Sequence, residues 1–162
     1  MNNEIAEQTG FIGTTLEAKT KEAAISALAG LFLENGFVKD SYPGAVLARE
    51  QTFPTGLPTE TFGVAIPHTD SVHVIRPGVA IGVLKEPIEF GMMGYPGEAV
   101  QVKLLFMLAI KDSNMQIQLL QDLVGLFSEA PLMNQLIVCT ESERIVELVQ
   151  SYLQELKEAI NS

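Results

Sequence analysis

The sequence predicts an α/β fold in which one β-sheet is sandwiched between helices. Short apolar segments that suit strands are mixed along the chain with longer segments of helical periodicity, a pattern that is typical of this class. The most apolar segment, Val100 to Ile110, carries no polar residue from Leu104 onward. It is therefore predicted to be a central strand that is buried on both faces.

The first half of the chain combines two predicted strands with two predicted helices. In order, these are a strand over 11–15, a helix over 19–35, a short helix ending near residue 50 and a strand over 62–66. The longer helix has apolar residues at helical spacing, and Asn35-Gly36 supplies a C-terminal cap of the usual kind. Residues 51–62 contain Pro54, Pro58, a glycine and four threonines, so they are predicted to be a loop.

The second half is predicted to end in three helices. In order, its elements are a connection over 69–78, a strand over 79–84, a turn over 92–98, a strand over 100–110, a helix over 114–128, a short helix from residue 131 and a helix ending near residue 160. The first of these strands is expected to stop at Lys85-Glu86-Pro87. Two capping boxes, Ser113-x-x-Gln116 and Thr140-x-x-Glu143, predict where two of the helices begin. The predicted buried stripe of the helix over 114–128 consists of Ile117, Leu120, Leu123, Val124 and Phe127.

The charge balance excludes some classes of partner. The net charge is −10, from 20 acidic and 10 basic residues. Nucleic acid and anionic membrane surfaces are disfavoured, because their phosphate groups attract lysine and arginine. The charge suits a basic protein partner, or it serves only to keep the protein in solution.

Length and composition indicate one domain in a reducing compartment. A chain of 162 residues predicts a single domain over 1–162. The one cysteine excludes an internal disulfide. No apolar run is long enough to span a bilayer, and the N-terminus lacks the basic and apolar regions of a signal peptide. We therefore expect a cytoplasmic protein.

The chain is organised around the segment G-V-A-I-P-H, residues 63–68. The apolar residues predict a buried strand, and Pro67 ends it because proline has no N–H to donate to the sheet. His68 then lies just past a strand end, where open α/β sheets place their ligands. Its imidazole, with an ordinary pKa of about 6.5, is a nucleophile that is largely neutral at cytoplasmic pH. The alternative is a structural histidine with a satisfied hydrogen bond.

Other segments accompany this one at a characteristic spacing: A-R-E at 48–50, F-P-T-G at 53–56 and L-K-E-P-I-E-F at 84–90. Together they resemble the enzyme IIA components of the bacterial sugar phosphotransferase system (PTS), of the fructose–mannitol type (EIIA type 2), and among these the galactitol-specific members. The resemblance covers about residues 5–155. It implies a mixed, mostly parallel β-sheet that is covered by α-helices on both faces.

The resemblance also implies a function. Such a chain is a phosphoryl carrier, which accepts a phosphoryl group from the phosphorylated carrier protein HPr and passes it to a sugar-specific enzyme IIB. Enzyme IIB belongs to a membrane-associated permease that takes up and phosphorylates galactitol or a related polyol. No cofactor and no metal are expected.

The resemblance assigns His68 as the phosphorylated residue, with attack by Nε2 and with Nδ1–H held by a backbone carbonyl or a similar acceptor. Arg49 is the candidate for stabilising the transferring group, because a guanidinium binds phosphate oxygens through two parallel hydrogen bonds. The alternative for Arg49 is a surface ion pair, for example with Glu50. Thr55 could donate its hydroxyl and Thr69 its hydroxyl and N–H, unless both are turn residues.

Two further residues distinguish this chain within the family that it resembles. Mannitol-type members carry a second histidine near the start of the helix after the last core strand, where this chain has Gln116. Glutamine can donate a hydrogen bond to an oxyanion but carries no charge, and here it could serve only the capping box. Galactitol-type members resemble this chain in having glutamine there and in having a histidine five residues after the nucleophile, here His73. His73 could tune the site or contact a partner, and we expect it to be exposed.

Two alternative functions remain open. The chain could be a regulatory enzyme IIA paralogue without a role in sugar transport. It could also be a metal-dependent hydrolase, since His68-x-Asp70-x-x-His73 offers three possible metal ligands.

Overall fold

The computed structural model describes residues 9–161, with side chains to residue 159. The strands are β1 (Gly10–Leu16), β2 (Gly56–Leu57), β3 (Gly63–Ala65), β4 (Gly78–Gly91) and β5 (Ala99–Ala109). The helices are α1 (Lys21–Glu34), α2 (Tyr42–Thr52), α3 (Ser113–Phe127), α4 (Ala130–Ile137) and α5 (Ser142–Asn161), with a 3-10 turn at Ser71–His73. Among the helices of the described residues, none is both long and apolar enough to cross a membrane.

Within the described residues the strands form one mixed sheet in the order β1-β4-β5-β3-β2. β1 is parallel to β4 and β3 is parallel to β5, while β4–β5 and β2–β3 are antiparallel. The α/β class and the mixed sheet are thus confirmed. Parallel pairs do not outnumber antiparallel ones, because β4 and β5 follow each other through the turn at 92–98 and such a short connection joins antiparallel strands.

Helices cover both faces of the sheet, as predicted. Side chains alternate along β5, so that Leu104 and Phe106 belong to one core and Leu105 and Met107 to the other. α1 and α2 pack on the Leu105 face, and α3, α4 and α5 pack on the Leu104 face. The predicted apolar face of α1 is fully buried: Ala24, Ile25, Leu28, Ala29 and Phe32.

The prediction that β4 ends before Lys85 is wrong, since the strand continues to Gly91. The register with β5 shifts between Val83 and Ile88, which leaves residues 84–87 in a bulge. Pro87 lies there, where its missing N–H removes no bond from the ladder. Two carbonyl groups at the bulge are satisfied by Lys103, whose Nζ donates to the carbonyls of Leu84 (3.0 Å) and Lys85 (2.8 Å).

Neither predicted capping box forms, because each helix begins one residue away from the predicted position. Asp112 caps α3, and its carboxylate accepts from the N–H groups of Asn114 (2.8 Å) and Met115 (3.4 Å). α5 begins at Ser142, with its first helical bond from Ile145 N–H to the carbonyl of residue 141.

The predicted apolar stripe of α3 is partly wrong. Ile117 and Val124 are 56% and 54% exposed, whereas Leu126, which the prediction omitted, is fully buried beside Leu123. The buried face is set by the tertiary packing of α3 against the sheet, α4 and α5, and periodicity alone does not indicate which of two adjoining apolar stripes will be covered.

One edge of the sheet is formed by the ends of three strands. The C-terminal ends of β3 and β5 lie at this edge, together with the N-terminal end of β4, since Gly78 pairs with Ala109. His68 continues from β3 and pairs with Leu108 of β5. The position of His68 past a strand end, at the edge of the sheet, is therefore confirmed.

Candidate active site

His68 is held by its own strand and by the neighbouring one. Its half-buried side chain follows Pro67, whose carbonyl accepts from the N–H of Leu108 at 3.1 Å. The Nδ1 atom lies 2.8 Å from the carbonyl oxygen of Ile66. Because a carbonyl can only accept, this contact requires the proton to be on Nδ1 and leaves the lone pair on Nε2. Ile66 thus provides the acceptor that the sequence did not reveal.

The surroundings of His68 favour a neutral imidazole. Burial is the main cause that lowers its pKa from the ordinary value, and the positive charge of Arg49 lowers it further. The hydrogen bond to Ile66 and the negative charge of Asp70 act in the opposite direction. The net effect keeps Nε2 unprotonated, and therefore nucleophilic, at neutral pH.

Arg49 lies in the last turn of α2, and its guanidinium has a donor that no acceptor among the described residues satisfies. Its Nε is the one buried side-chain polar atom in the described part of the chain that lacks a hydrogen-bond partner. Its Cζ lies 5.2 Å from the ring centroid of Phe53. The ion pairs among the described residues involve neither Arg49 nor Glu50, so the alternative interpretation of Arg49 as a surface ion pair loses support. A guanidinium with a free donor, close enough for its charge to act on a neutral imidazole, is suited to receive an anion.

Thr55 does not have the environment that we expected. Its side chain is 3% exposed, and its hydroxyl donates to Oε1 of Glu50 at 2.8 Å. The Thr55 hydroxyl oxygen also accepts from the N–H of Ile66 at 3.2 Å. The Thr55 hydroxyl proton is therefore already used and the residue is buried, which argues against a phosphoryl-binding or partner-facing role.

Glu50 was missed as a member of this network by the sequence reasoning. It is 4% exposed, and its Oε2 accepts from the backbone N–H of Thr55 at 2.8 Å. Burial raises the pKa of Glu50, and the bonds from Thr55 and the charges of Lys21 and Arg49 oppose that rise. The sequence held only a weak signal, an acidic residue directly after Arg49 and five residues before a threonine.

Gln116 and Thr69 occupy positions near the same edge of the sheet. Gln116 is half-buried in the first turn of α3, which begins just after β5 ends. Since Asp112 caps the helix, the side chain of Gln116 does not complete a capping box. Thr69 is half-buried directly after His68.

His73 is half-buried in the 3-10 turn, not exposed as we expected. Its Nδ1 lies 2.8 Å from Oγ of Ser41, the residue before α2. The metal-site alternative loses support, because no three His, Cys, Asp or Glu side chains in the described part of the chain are placed to hold a metal ion.

Exposed apolar side chains occur in three segments that lead to or from this site. These side chains, which we call the apolar patch, are Phe53 (60% exposed), Val72 (64%), Ile75 (50%) and Ile117 (56%). Phe53 is in contact with the Arg49 guanidinium. Large exposed apolar groups next to a reactive side chain are typical of a protein-docking surface.

Comparison with known proteins identifies the family. Residues 7–152 match the family model described as phosphoenolpyruvate-dependent sugar phosphotransferase system, EIIA 2. The galactitol-specific EIIA component of Escherichia coli K12 is 25% identical over 133 residues, which are 82% of this chain and 88% of that protein. The transcriptional regulator ManR of Bacillus subtilis is 35% identical over 117 residues, which are 71% of this chain but only 16% of the regulator.

Solved structures agree with this match. The crystal structure of mannitol IIA from E. coli superimposes with a TM-score of 0.70 at 25% identity, over 85% of this chain and 94% of that one. The same fold occurs in the E. coli complex of mannitol enzyme IIA with phosphorylated enzyme IIB, with a TM-score of 0.71 at 24% identity, over 86% and 94% of the two chains. The chain therefore belongs to the EIIA type 2 family of the phosphoenolpyruvate-dependent sugar phosphotransferase system, whose domains take part in phosphoryl transfer between proteins.

Proposed function

We propose that this chain is a cytoplasmic phosphoryl carrier in which His68 accepts a phosphoryl group from phosphorylated HPr and passes it to a sugar-specific enzyme IIB. One observation carries the proposal: the 2.8 Å bond from Nδ1 to the Ile66 carbonyl leaves the lone pair of His68 on Nε2. The buried Nε of Arg49, which has no hydrogen-bond partner among the described residues, accompanies it.

In the first transfer, the Nε2 lone pair forms a bond to phosphorus as the donor's own nitrogen–phosphorus bond breaks and its electron pair returns to the donor imidazole. The His68 ring becomes cationic, because the Nδ1 proton stays in place. The Ile66 carbonyl and the charge of Asp70, both of which favour the cationic ring, stabilise this product. In the second transfer, a cysteine thiolate of enzyme IIB attacks the phosphorus and Nε2 leaves with its electron pair.

Phosphoryl transfer depends mainly on positioning and on stabilising the charge of the equatorial oxygens. We assign the stabilisation of that negative charge to Arg49, whose Nε and terminal nitrogens can donate to two oxygens at once. Thr69 and Gln116 are assigned as neutral donors at the same group. A single cation with neutral donors binds the phosphoryl group without retaining it, which suits a carrier that must release it.

Donor and acceptor are proposed to use overlapping surfaces, because one Nε2 atom must face both in turn. We assign the apolar patch to this surface, because its side chains lie in segments that lead to or from His68. The net charge of −10 favours basic partners. The solved complex with phosphorylated enzyme IIB belongs to the mannitol enzyme IIA, and it supports an enzyme IIB as the acceptor here.

For the transported sugar we propose galactitol or a related polyol. The support is the similarity to the galactitol-specific EIIA component of E. coli, together with the presence of Gln116 and His73 at positions where galactitol-type members resemble this chain. The sugar itself would bind to other components of the permease.

The test is phosphorylation by phosphorylated HPr, followed by intact-mass measurement. The wild type is expected to gain one phosphoryl group and His68→Ala none, while His73→Ala, the matched histidine control, gains one. Phosphorylated His68→Ala, or wild type that stays unmodified, would contradict the assignment.

A regulatory role is the second candidate, favoured by the 35% identity to a segment of ManR. A regulatory paralogue would accept the phosphoryl group on His68 but would deliver it to no enzyme IIB. Transfer from the phosphorylated chain to candidate enzyme IIB proteins, beginning with any encoded beside it, separates the two roles.

A further inference from the structure

A continuous chain of hydrogen bonds leads from a buried carboxylate to the imidazole of His68. Both oxygens of Glu50 accept from Thr55, at 2.8 Å from its N–H and at 2.8 Å from its hydroxyl. The Thr55 hydroxyl oxygen then accepts from the N–H of Ile66 at 3.2 Å. The carbonyl of Ile66 accepts from Nδ1 of His68 at 2.8 Å.

The buried carboxylate needs an explanation. A carboxylate that is 4% exposed is costly to desolvate, and no arginine or lysine forms an ion pair with Glu50 among the described residues. Both of its partners are on one residue, Thr55. Since a carboxylate can only accept, Glu50 directs the Thr55 hydroxyl proton toward itself. The hydroxyl lone pairs are then turned toward Ile66.

Ile66 is the point at which this orientation reaches the active site. It lies one residue beyond the end of β3. The following Pro67 restricts its backbone to the extended region. With its N–H held by Thr55, the direction of its carbonyl is defined, and that carbonyl receives the Nδ1 proton of His68.

We propose that Glu50 and Thr55 are positioning residues for phosphoryl transfer. Glu50 sets the rotamer of the Thr55 hydroxyl, and Thr55 holds Ile66. Ile66 in turn keeps the proton of His68 on Nδ1 and the lone pair on Nε2. The catalytic consequence rests on the proposed role of His68, whereas the effect on its tautomer can be measured without any phosphoryl transfer.

Glu50→Gln is the most direct test, because it keeps the shape and removes one acceptor. The new amide nitrogen must face either the Thr55 N–H, which is a donor, or the Thr55 hydroxyl oxygen, whose proton then loses its carboxylate acceptor and is no longer directed away from Ile66. Thr55→Val removes the hydroxyl at constant shape, and Thr55→Ser restores it. Thr59→Val is the matched control, since among the described residues the Thr59 hydroxyl bonds only within 59–62 of the same loop.

The first readout is the pair of ring nitrogen chemical shifts of His68 in the unphosphorylated protein, which distinguish the two tautomers. Wild type, Thr55→Ser and Thr59→Val are expected to show protonated Nδ1. Glu50→Gln and Thr55→Val are expected to show a mixture that includes protonated Nε2. The second readout is single-turnover transfer from phosphorylated HPr, which should fall about three- to tenfold in these two variants, the loss typical of one hydrogen bond.

Unchanged ring shifts and transfer rates in folded Glu50→Gln and Thr55→Val would overturn the proposal, as would a wild type with protonated Nε2. If Thr55→Val does not fold, Glu50→Gln decides alone. If the ring shifts change as expected but the wild type accepts no phosphoryl group, the positioning of His68 stands and the proposed carrier function fails.

Discussion

Arg49→Lys is the substitution whose effect can be worked out most fully from the structure. It keeps the positive charge that lowers the pKa of His68, so the nucleophile stays neutral. It removes the planar fork of donors, including the buried Nε that has no partner among the described residues. Any loss of transfer is then due to lost geometry at the phosphoryl oxygens and not to a change of the imidazole.

The magnitude follows from one charged hydrogen bond, which is worth about 1.5–3 kcal/mol. If that bond forms only in the transition state, the rate constant for transfer falls about tenfold to a hundredfold. Thermal stability is expected to change little, because Nε makes no hydrogen bond within the described protein that the substitution could break. A large kinetic loss without loss of stability is the signature of a residue placed for an absent anion.

The assay is rapid-quench single-turnover transfer, both from phosphorylated HPr to the chain and from the phosphorylated chain to enzyme IIB. Arg144→Lys is the control, since Arg144 pairs with Glu147 on the exposed face of α5. Both directions should slow in Arg49→Lys and neither in Arg144→Lys. Unchanged rates in both directions would refute the reasoning and would mean that Arg49 is a partly buried arginine without a role in phosphoryl transfer.

Three other predictions concern His68 and Gln116. Because burial lowers the pKa of His68, the transfer rate should stay level as the pH falls through about 6.5 and decline only below it; a half-maximal rate at that pH would contradict this. The lowered pKa of His68 also makes the free energy of unfolding depend on pH, because the folded protein favours the neutral ring. The wild type should therefore lose stability relative to His68→Ala as the pH falls from about 6.5, the unfolded value, toward the folded pKa. Parallel denaturation profiles of the two proteins would contradict this prediction. Gln116→Ala should slow transfer modestly and Gln116→His should remain competent, both with near-normal thermal stability because Asp112 caps α3; a large loss of stability with normal transfer would remove Gln116 from the site.

The sequence was sufficient to predict a structural feature where the residues that cause the feature lie within the same short segment. The strand before His68 ends because Pro67 has no N–H to donate to the sheet, and Pro67 directly precedes His68 in the sequence. The buried face of α1 follows from apolar residues at helical spacing, all of which are covered. The α/β class follows in the same way, from the alternation of strand and helix patterns.

Other features depend on what a segment packs against. β4 continues past Pro87 because the register with β5 shifts and leaves the proline in a bulge, and no local pattern indicates a partner's register. Ile117 and Val124 are exposed because the packing of α3 selects another stripe. A sequence shows that a residue is apolar, but only the tertiary structure decides whether anything covers it.

The candidate site shows the same division. The sequence by itself singled out His68 as a candidate, by its position after a strand-ending proline, and Arg49 through the family resemblance. Only the tertiary structure decided which groups surround them: the Ile66 carbonyl on Nδ1, the Thr55 hydroxyl on Ile66 and the buried Glu50 behind it. The physical reason is that a hydrogen bond depends on distance and direction between atoms, and the α2 end, the loop after it and the β3 end reach that geometry only when the sheet has assembled.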